Sequence, residues 1–594
     1  MPKRKSDNLD SRLNLILAFY SLVLFVILVK LFLIQVVGHE KYSALAQDQY
    51  WNLSVIPAQR GDILTSDSYT LASTQIHYLL YLEPQKAGNS YETAQRLGEK
   101  IAELKSVDER EQTELLGYYH NKILNLMDSE LQWAVLSRNL TPDQKDEIEK
   151  LNLLGIGFEE DPARYYPEGS LASHVLGFVA FNDAGDKQGY FGIEGALNGD
   201  LRGKPGRLLE EQDATGNPIL IGSYKKSQPV KGRNIVLTIN RAVQYIVEQN
   251  LKRGVEEYDA KSGSVIVMDP FTGEIIAMAN YPTYKPDDFS EAMSEGSELS
   301  EDVHRKDNEK INLGISQTYE PGSVIKPFTI SSAVDLGLVN ANTTFEDSGP
   351  VVYSGYTIDN WDGKHHGTQT VSQLLEKSNN IGAAWVGHLV GTDNLAKYLK
   401  AFGFGEKSNI ELEGEDTGVI RDSNIWTDID LANIAFGQGL SATPLQVLNG
   451  FNVIANGGTL MQPKIIKKIV DEDKEIDMPV KEVRKVVSEQ TSEEMVKMLE
   501  NAVESGEAKF FNLKEYRIAG KTGTAQIPFE GKYDPNKTNA TFVGFLAGTR
   551  KFSMIVKLEE TQSSIYAAET AVPLWMNITD DLVRYFGIAP DKIL

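Results

Sequence analysis

The 594-residue chain contains no cysteine. Disulfides, thiolate nucleophiles and cysteine-ligated metal sites are thereby excluded together. Histidine is scarce: of eight, only His365 and His366 are adjacent, and they read as part of a surface loop. Neither a catalytic metal nor an organic cofactor is expected. Positive charge is also short. A formal net charge of -24 leaves no basic footprint for a phosphate backbone, so a nucleic-acid partner is not expected.

What is present is a globular composition, 41% hydrophobic and 24% charged, in a chain too long for one core, so two or more domains are expected. Lys3, Arg4, Lys5 and Arg12 precede an almost unbroken apolar run from Leu13 to Val37. A membrane span needs ~20 such residues, and basic residues favour the cytoplasmic side. The expectation is a single-pass anchor with residues 1–12 inside and the rest outside. Ala44-Leu45-Ala46 has the form of a signal-peptidase site but lies too far beyond the run, which is itself too long for a signal core.

The stretch with the most chemistry is Tyr319-Glu320-Pro321-Gly322-Ser323-Val324-Ile325-Lys326-Pro327-Phe328. Pro321-Gly322 breaks the chain, and the apolar positions after it predict a buried helix ending near Gly337. Ser323 and Lys326, three apart, share one face of that helix. A serine hydroxyl needs a base, and its oxyanion needs fixed donors such as helix N-terminal N–H groups. Lys326 serves as base only if burial or a second cation lowers its pKa from the ordinary ~10.4. Two further stretches supply partners: Ser378-Asn379-Asn380 after the amphipathic run Val371 to Lys377, and Lys521-Thr522-Gly523-Thr524 within a strand-like segment from Tyr516 to Ile527.

The order Ser-x-x-Lys, Ser-x-Asn, Lys-Thr-Gly resembles the penicillin-binding protein and serine β-lactamase superfamily. The longer words Tyr-Glu-Pro-Gly-Ser, Gly437-Gln438-Gly439-Leu440-Ser441-Ala442-Thr443-Pro444-Leu445-Gln446 and Gly520-Lys521-Thr522-Gly523-Thr524-Ala525-Gln526 are similar to class B penicillin-binding proteins, the monofunctional D,D-transpeptidases. The likeness runs from about Arg60 to Leu594. Arg60-Gly61-Asp62-Ile63 resembles the family's juxtamembrane motif, with Thr65-Ser66 and Ser68 where an Asp-Arg and a glycine turn are usual. Arg164 to Gly177, Gly192-Ile193-Glu194 and Leu201 to Gly206 resemble its pedestal.

The implied architecture is α+β. Residues 1–12 form the tail, 13–37 the anchor, 38–230 a pedestal of the penicillin-binding protein dimerisation type, and 231–594 a transpeptidase domain with an antiparallel sheet and helices. Within it, strands are expected at Ile235–Ile239, Ser264–Asp269, Glu274–Ala279, Ala540–Ala547 and Phe552–Lys557. Helices are expected at Ala242–Leu251, Leu395–Phe402, Leu445–Ala455 and Ala568–Phe586. Residues 285–312 read as a surface loop, residues 90–155 as a charged helical region, and Trp361 and Tyr353 as core packing.

The resemblance also implies roles. Ser323 attacks the carbonyl between the last two D-alanines of a peptidoglycan stem peptide, with Lys326 as base. Ser378 and Lys521 pass a proton to the leaving amine, and Asn380 orients Lys326 and the substrate. Backbone N–H groups of Ser323 and Thr524 form the oxyanion hole, Thr522 and Thr524 bind the terminal carboxylate beside Lys521, and Gly523 lets substrate lie against the strand. β-Lactams acylate Ser323, and a polytopic glycosyltransferase is the expected partner. Division is preferred over elongation, from the single Gly-Ile-Glu linker, the compact pedestal and the short segment after Lys521. The rivals are a membrane-anchored β-lactamase or β-lactam sensor, which residues 40–230 oppose, and a non-catalytic cell-wall scaffold, which the intact motifs oppose.

Overall fold

The computed structural model describes residues 7–43, 51–182, 185–211, 219, 224–292, 310–472, 474–529 and 532–592. Lys3, Arg4, Lys5 and Ala44-Leu45-Ala46 lie outside them. Two compact units are formed, one from Met1–Gln59 with Gly203–Lys231 and the other from Arg60–Arg202 with Gly232–Leu594.

The first unit holds the helix Asp7–Phe32, continued by a π-helical turn Leu33–Val37. Its segment Ser11–Val37 is long and apolar enough to cross a membrane, and its apolar side chains are exposed rather than packed. At about 1.5 Å per residue it spans the ~30 Å of a bilayer core. The same unit contains a three-stranded antiparallel sheet in which Gly206–Glu211 runs between Trp51–Ile56 and Tyr224–Ser227.

In the second unit, a six-stranded sheet joins distant parts of the sequence: its order is Lys474–Asp477, Ile466–Asp471, Asn234–Leu237, Ile63–Leu64, Thr70–Gln75, Ala163–Tyr165. Asn234–Leu237, just after the expected start of the transpeptidase domain, pairs in parallel with Ile63–Leu64. Close by, Glu194 is fully buried and receives Arg60 Nε at 2.5 Å and Arg164 Nε at 2.6 Å. Removing one arginine leaves Glu194 paired with the other but strips a charged hydrogen bond from a buried carboxylate, a loss of about 1.5–3 kcal/mol. The unusual Thr65 fills its turn with its own hydroxyl, which accepts the Tyr69 N–H at 2.9 Å.

Residues 90–155 contain the helices Ser90–Lys105 and Glu109–Met127, and a third, Pro142–Glu149, opened by the Thr141/Gln144 capping box. They close on a sheet with Tyr78–Leu82 at its centre, around Leu80, Leu97, Ile101, Tyr119 and Leu136. This region is therefore mixed rather than purely helical.

The sheet that carries the site is antiparallel throughout, ordered Ile275–Tyr281, Ser262–Met268, Ser553–Glu559, Lys532–Leu546, Ile518–Phe529. Side chains alternate across it as strand geometry demands. Phe542, Met554 and Val556 face the helices Arg241–Glu257 and Ala571–Phe586, where Trp575 is buried. Val543, Phe545 and Ile555 face the other layer, with Phe328 and Phe451. Phe328 is fully buried against Phe402, Phe404 and Phe451, and truncating it to Ala would cost about 3–5 kcal/mol. The expected loop at 285–312 begins instead with a helix, Pro286–Ala292, which Pro286 and the acidic residues after it favour at a helix start; 293–309 lie outside the described residues.

Candidate active site

Pro321 and Gly322 turn the chain as their types require, with Gly322 at φ +59°. Ser323 then sits in a 3-10 turn, Gly322–Ile325, which feeds the α-helix Lys326–Asp335. The turn lies against Ile518–Phe529, the edge strand of the five-stranded sheet. A Cβ added to Gly523 would come within 2.9 Å of the Pro321 carbonyl oxygen and of Val324 Cγ1. Only glycine permits that approach, which brings the backbones at Ser323 and Thr524 side by side.

Lys326 is fully buried. Its Nζ lies 2.9 Å from Ser323 Oγ, 2.5 Å from the Ser378 carbonyl oxygen, 3.2 Å from Ser378 Oγ and 2.8 Å from Asn380 Oδ1. The carbonyl and the amide oxygen can only accept. A neutral amine has two hydrogens and one lone pair: the hydrogens satisfy these two acceptors and the lone pair is left for a hydroxyl proton. Desolvation and the charge of Lys521 push the Lys326 pKa well below that of a free lysine, with Glu507 opposing.

Ser378 closes the helix Val371–Lys377 in a left-handed conformation, φ +54°, a strained placement of the kind that collects at functional sites. Asn379, between the two motif residues, is structural. Its Oδ1 caps the next helix through the Gly382 N–H at 2.7 Å, and its Nδ2 donates to Asp347 at 2.7 Å. Asp347 is fully buried and also accepts from Asn360 Nδ2, Gln369 Nε2 and the His366 N–H, with His365 Nδ1 at 3.2 Å. Asn360 in turn accepts the Asn380 N–H at 3.0 Å. His365 and His366 lie, as expected, on an exposed loop, from which the His365 ring and the His366 backbone N–H reach the carboxylate that fixes the Ser378–Asn380 turn.

Lys521 is buried and its pKa is lowered by that burial, with Glu507 acting against the shift. Its Nζ donates to the Thr522 carbonyl at 3.1 Å and to Thr522 Oγ1 at 3.0 Å, and not to Ser378. Thr522 Oγ1 itself donates to Glu507 at 2.6 Å, whereas Thr524 Oγ1 is exposed and accepts the Ala567 N–H at 3.0 Å. Trp361 does not pack in the core: it is 52% exposed, donates to the Lys377 carbonyl and meets Tyr566 edge to face at 5.7 Å. Tyr353 is half-buried, stacked on His388.

Sequence reasoning left three contributors aside. The Gly437-Gln438-Gly439 turn takes the Gly322 N–H on the Gly437 carbonyl, and a Cβ on Gly437 would fall 2.0 Å from the Gly322 oxygen. Glu320 bridges this turn to the edge hairpin through the Gly439 N–H and the Tyr533 hydroxyl. Glu507 reaches the Lys-Thr-Gly segment from the turn Glu507–Phe510. The double use of glycine around Gln438 was the visible signal for the first; Glu320 stands in the word before Ser323 with no sign of its partners, and no local pattern marks Glu507.

The chain is similar to known proteins along most of its length. Residues 263–579 match the family model described as the penicillin-binding protein transpeptidase domain, and residues 55–237 the penicillin-binding protein dimerisation domain. The chain is 30% identical to stage V sporulation protein D of Bacillus subtilis over 98% of its length and 86% of that protein. It is 31% identical to the peptidoglycan D,D-transpeptidase FtsI of Escherichia coli over 78% of its length and 74% of that protein. Among solved structures it is similar to penicillin-binding protein 3 of Mycobacterium tuberculosis complexed with aztreonam, with TM-score 0.66 and 25% identity over 91% of this chain and 98% of that one.

Proposed function

The chain belongs to the class B penicillin-binding proteins, membrane-anchored peptidoglycan D,D-transpeptidases, and on that premise we propose that it works through an acyl-enzyme on Ser323. The observation that carries the proposal is the buried amine of Lys326 within 2.9 Å of Ser323 Oγ, its other acceptors already fixed.

A stem peptide adds along the free edge of Ile518–Phe529, its terminal carboxylate meeting Lys521 and the hydroxyls of Thr522 and Thr524. Lys326 takes the Ser323 proton as Oγ attacks the penultimate D-alanine carbonyl. The oxyanion is received by the N–H groups of Ser323 and Thr524, a contribution of about 3–4 kcal/mol per donor. The proton passes to the leaving D-alanine amine through Ser378, whose Oγ lies 3.2 Å from Lys326 Nζ, in the field of Lys521. An amine from a neighbouring stem peptide then attacks the acyl-enzyme, and the same groups run in reverse. β-Lactams enter the first half of this path and stay.

The N-terminus lies in the cytoplasm and the catalytic unit outside, as Arg12 at the start of the span favours. A polytopic glycosyltransferase, the partner that the family likeness implies, supplies the strands to cross-link. A role in division is preferred on the single Gly192-Ile193-Glu194 linker and the compact pedestal. Depletion in cells should then give filaments rather than rounded forms.

The test is intact-mass spectrometry of the detergent-solubilised chain mixed with a penicillin, beside Ser323→Ala. A stable one-to-one adduct on the native chain alone is expected. An adduct that forms and vanishes while the drug is consumed would establish a β-lactamase instead.

A further inference from the structure

The face of the five-stranded sheet that meets the nucleophile is apolar at Ile266, Ile555, Val543 and Phe545, but one row across it is not. Gly523, Thr541, Lys557 and Ser264 stand opposite one another on four successive strands, and Lys557 is only 2% exposed. A buried ammonium is costly unless it is paired, and an apolar residue of similar size fills such a place as well. Packing alone does not call for a lysine there.

The segment that leads to Ser323 crosses this row strand by strand. Gln317 Oε1 accepts Lys557 Nζ at 2.6 Å, and Gln317 Nε2 donates to Glu559 Oε2 at 2.7 Å. A cation on one side and an anion on the other fix which way that amide points. Lys557 Nζ then lies over the face of the Tyr319 ring, 5.1 Å from its centre, and the Tyr319 hydroxyl accepts from Thr541 Oγ1 at 3.3 Å. Pro321 follows over Gly523, and Ser323 stands two residues on. Lys557 makes one hydrogen bond among the described residues, and the Glu559 carboxylate is 3.9 Å away, so the aromatic ring is its other close partner. The Tyr319 backbone is held separately, through Ala442 in both directions.

We propose that Lys557 is a positioning residue for acyl transfer: its ammonium grips Gln317 and the Tyr319 ring, and so fixes the turn Gly322–Ile325 that presents Ser323 to Lys326. The inference rests on the transpeptidase reading of that site. Lys557 touches neither Ser323 nor the substrate, and acts through residues 317–322. The grip belongs to the charged form. A neutral amine keeps a donor for Gln317 but offers no charge to the ring. The charged or titratable groups around it are Glu559 on its own strand, Lys261 beside the neighbouring strand, and the Tyr319 phenol above; Thr541 and Ser264, opposite it on the flanking strands, are neutral. Burial lowers the Lys557 pKa to about 8, with Glu559 opposing and Lys261 adding to the shift. Burial also pushes the Tyr319 phenol up, so it stays neutral throughout. The grip is therefore present below about pH 8 and released as pH rises through it.

The experiment is the pH profile of acylation of the full-length chain in detergent by benzylpenicillin, with prior binding separated from the acylation step, for the native chain, Lys557→Arg and Lys557→Met. Lys326 and Lys521 titrate in all three, so the ratios of rates isolate Lys557. Arginine stays charged. The native rate should match that of Lys557→Arg below about pH 8 and fall ~10-fold behind it above, the worth of one desolvated cation–ring contact, with prior binding unchanged. Against Lys557→Met the native chain should be ~10-fold faster below that pH and equal above it. Lys557→Met should melt close to the native chain, because Glu559 keeps Lys261, Gln317 and Ser262. Tyr319→Leu removes the ring and should abolish the Lys557-dependent fall with the lysine in place. Ratios that do not change with pH overturn the proposal, as does a fall that survives Tyr319→Leu. Should Lys557→Arg fail to fold, the ratio to Lys557→Met decides alone. If the native chain forms no Ser323 adduct, the transpeptidase reading fails as well; an adduct whose profile ignores Lys557 sinks only the role of that lysine.

Discussion

Asp347 is the strongest test of how the Ser378–Asn380 turn is held. It is far from the reacting atoms in sequence and absent from every motif, yet its carboxylate has no exposed surface and five groups face it. Four donors, Asn379 Nδ2, Asn360 Nδ2, Gln369 Nε2 and the His366 N–H, share Oδ2, while His365 Nδ1 faces Oδ1 at 3.2 Å. Asp347→Ala strands several buried donors at about 1–3 kcal/mol each, not fully additive, for a total on the order of 3–5 kcal/mol. Asp347→Asn is milder. Its oxygen can occupy the Oδ2 position and its amide can donate to neutral His365, so the loss is that of charge assistance, about 1–2 kcal/mol. Because Asn360 also receives the Asn380 N–H, the Ala variant should lose acylation by penicillin at temperatures where it remains folded. Burial alone would raise the carboxyl pKa, but the hydrogen bonds from His365, Asn379 and the others outweigh it and hold it below the ordinary range. A depressed carboxylate stabilises above its unfolded pKa of ~3.9 and loses that contribution as pH falls through the folded value, so the penalty should be flat from pH 6 to 8. Thermal melts and intact-mass acylation rates are the assay. Unchanged melting and acylation in Asp347→Ala would refute the hub, and lowered melting with native acylation would confine Asp347 to the fold.

Lys326→Met should abolish acylation, by about 10²- to 10⁴-fold, while leaving melting unchanged or higher, since a buried amine is replaced by an apolar group of similar length. In the native chain the acylation rate should rise with pH through the lowered Lys326 pKa, because the neutral form is the base, and stay high well below the range where a free lysine protonates; a pH profile of adduct formation reads this. Gly437→Ala forces a Cβ against the Gly322 oxygen at φ +96° and should cost about 1–3 kcal/mol together with a loss of acylation, measured by melts and mass spectrometry. Since the chain has no cysteine, Lys225→Cys gives a single thiol, and an impermeant maleimide added to intact cells should label it; labelling only after lysis would reverse the orientation.

The parts legible in the sequence are those where function is written in short spacing. Ser323 and Lys326 fall on one helical face, Ser378 and Asn380 flank a capping residue, and the period-two strands around Lys521 and Phe542 appear within a few residues of their expected positions. What escaped is what only the folded chain brings together. Asp347 acts across 32 residues to Asn379, Glu507 across 15 to Thr522, and Glu320 across 213 to Tyr533. Asp347 and Glu507 have nothing in their neighbours to mark them, and Glu320, though it stands in the word before Ser323, carries no sign there of its partners, because the meaning of each lies in donors from other segments. The exposed Trp361 escaped for a related reason: a large aromatic is ordinarily a core residue, and only the Lys377 carbonyl and Tyr566 hold it at the surface. Motifs therefore located the groups that react, and the acids found only by geometry decide how those groups are oriented. That division explains why Thr522 and Thr524, equivalent on the page, have different neighbours in the fold: Glu507 meets Thr522 from a separate turn, and nothing in the motif itself announces it.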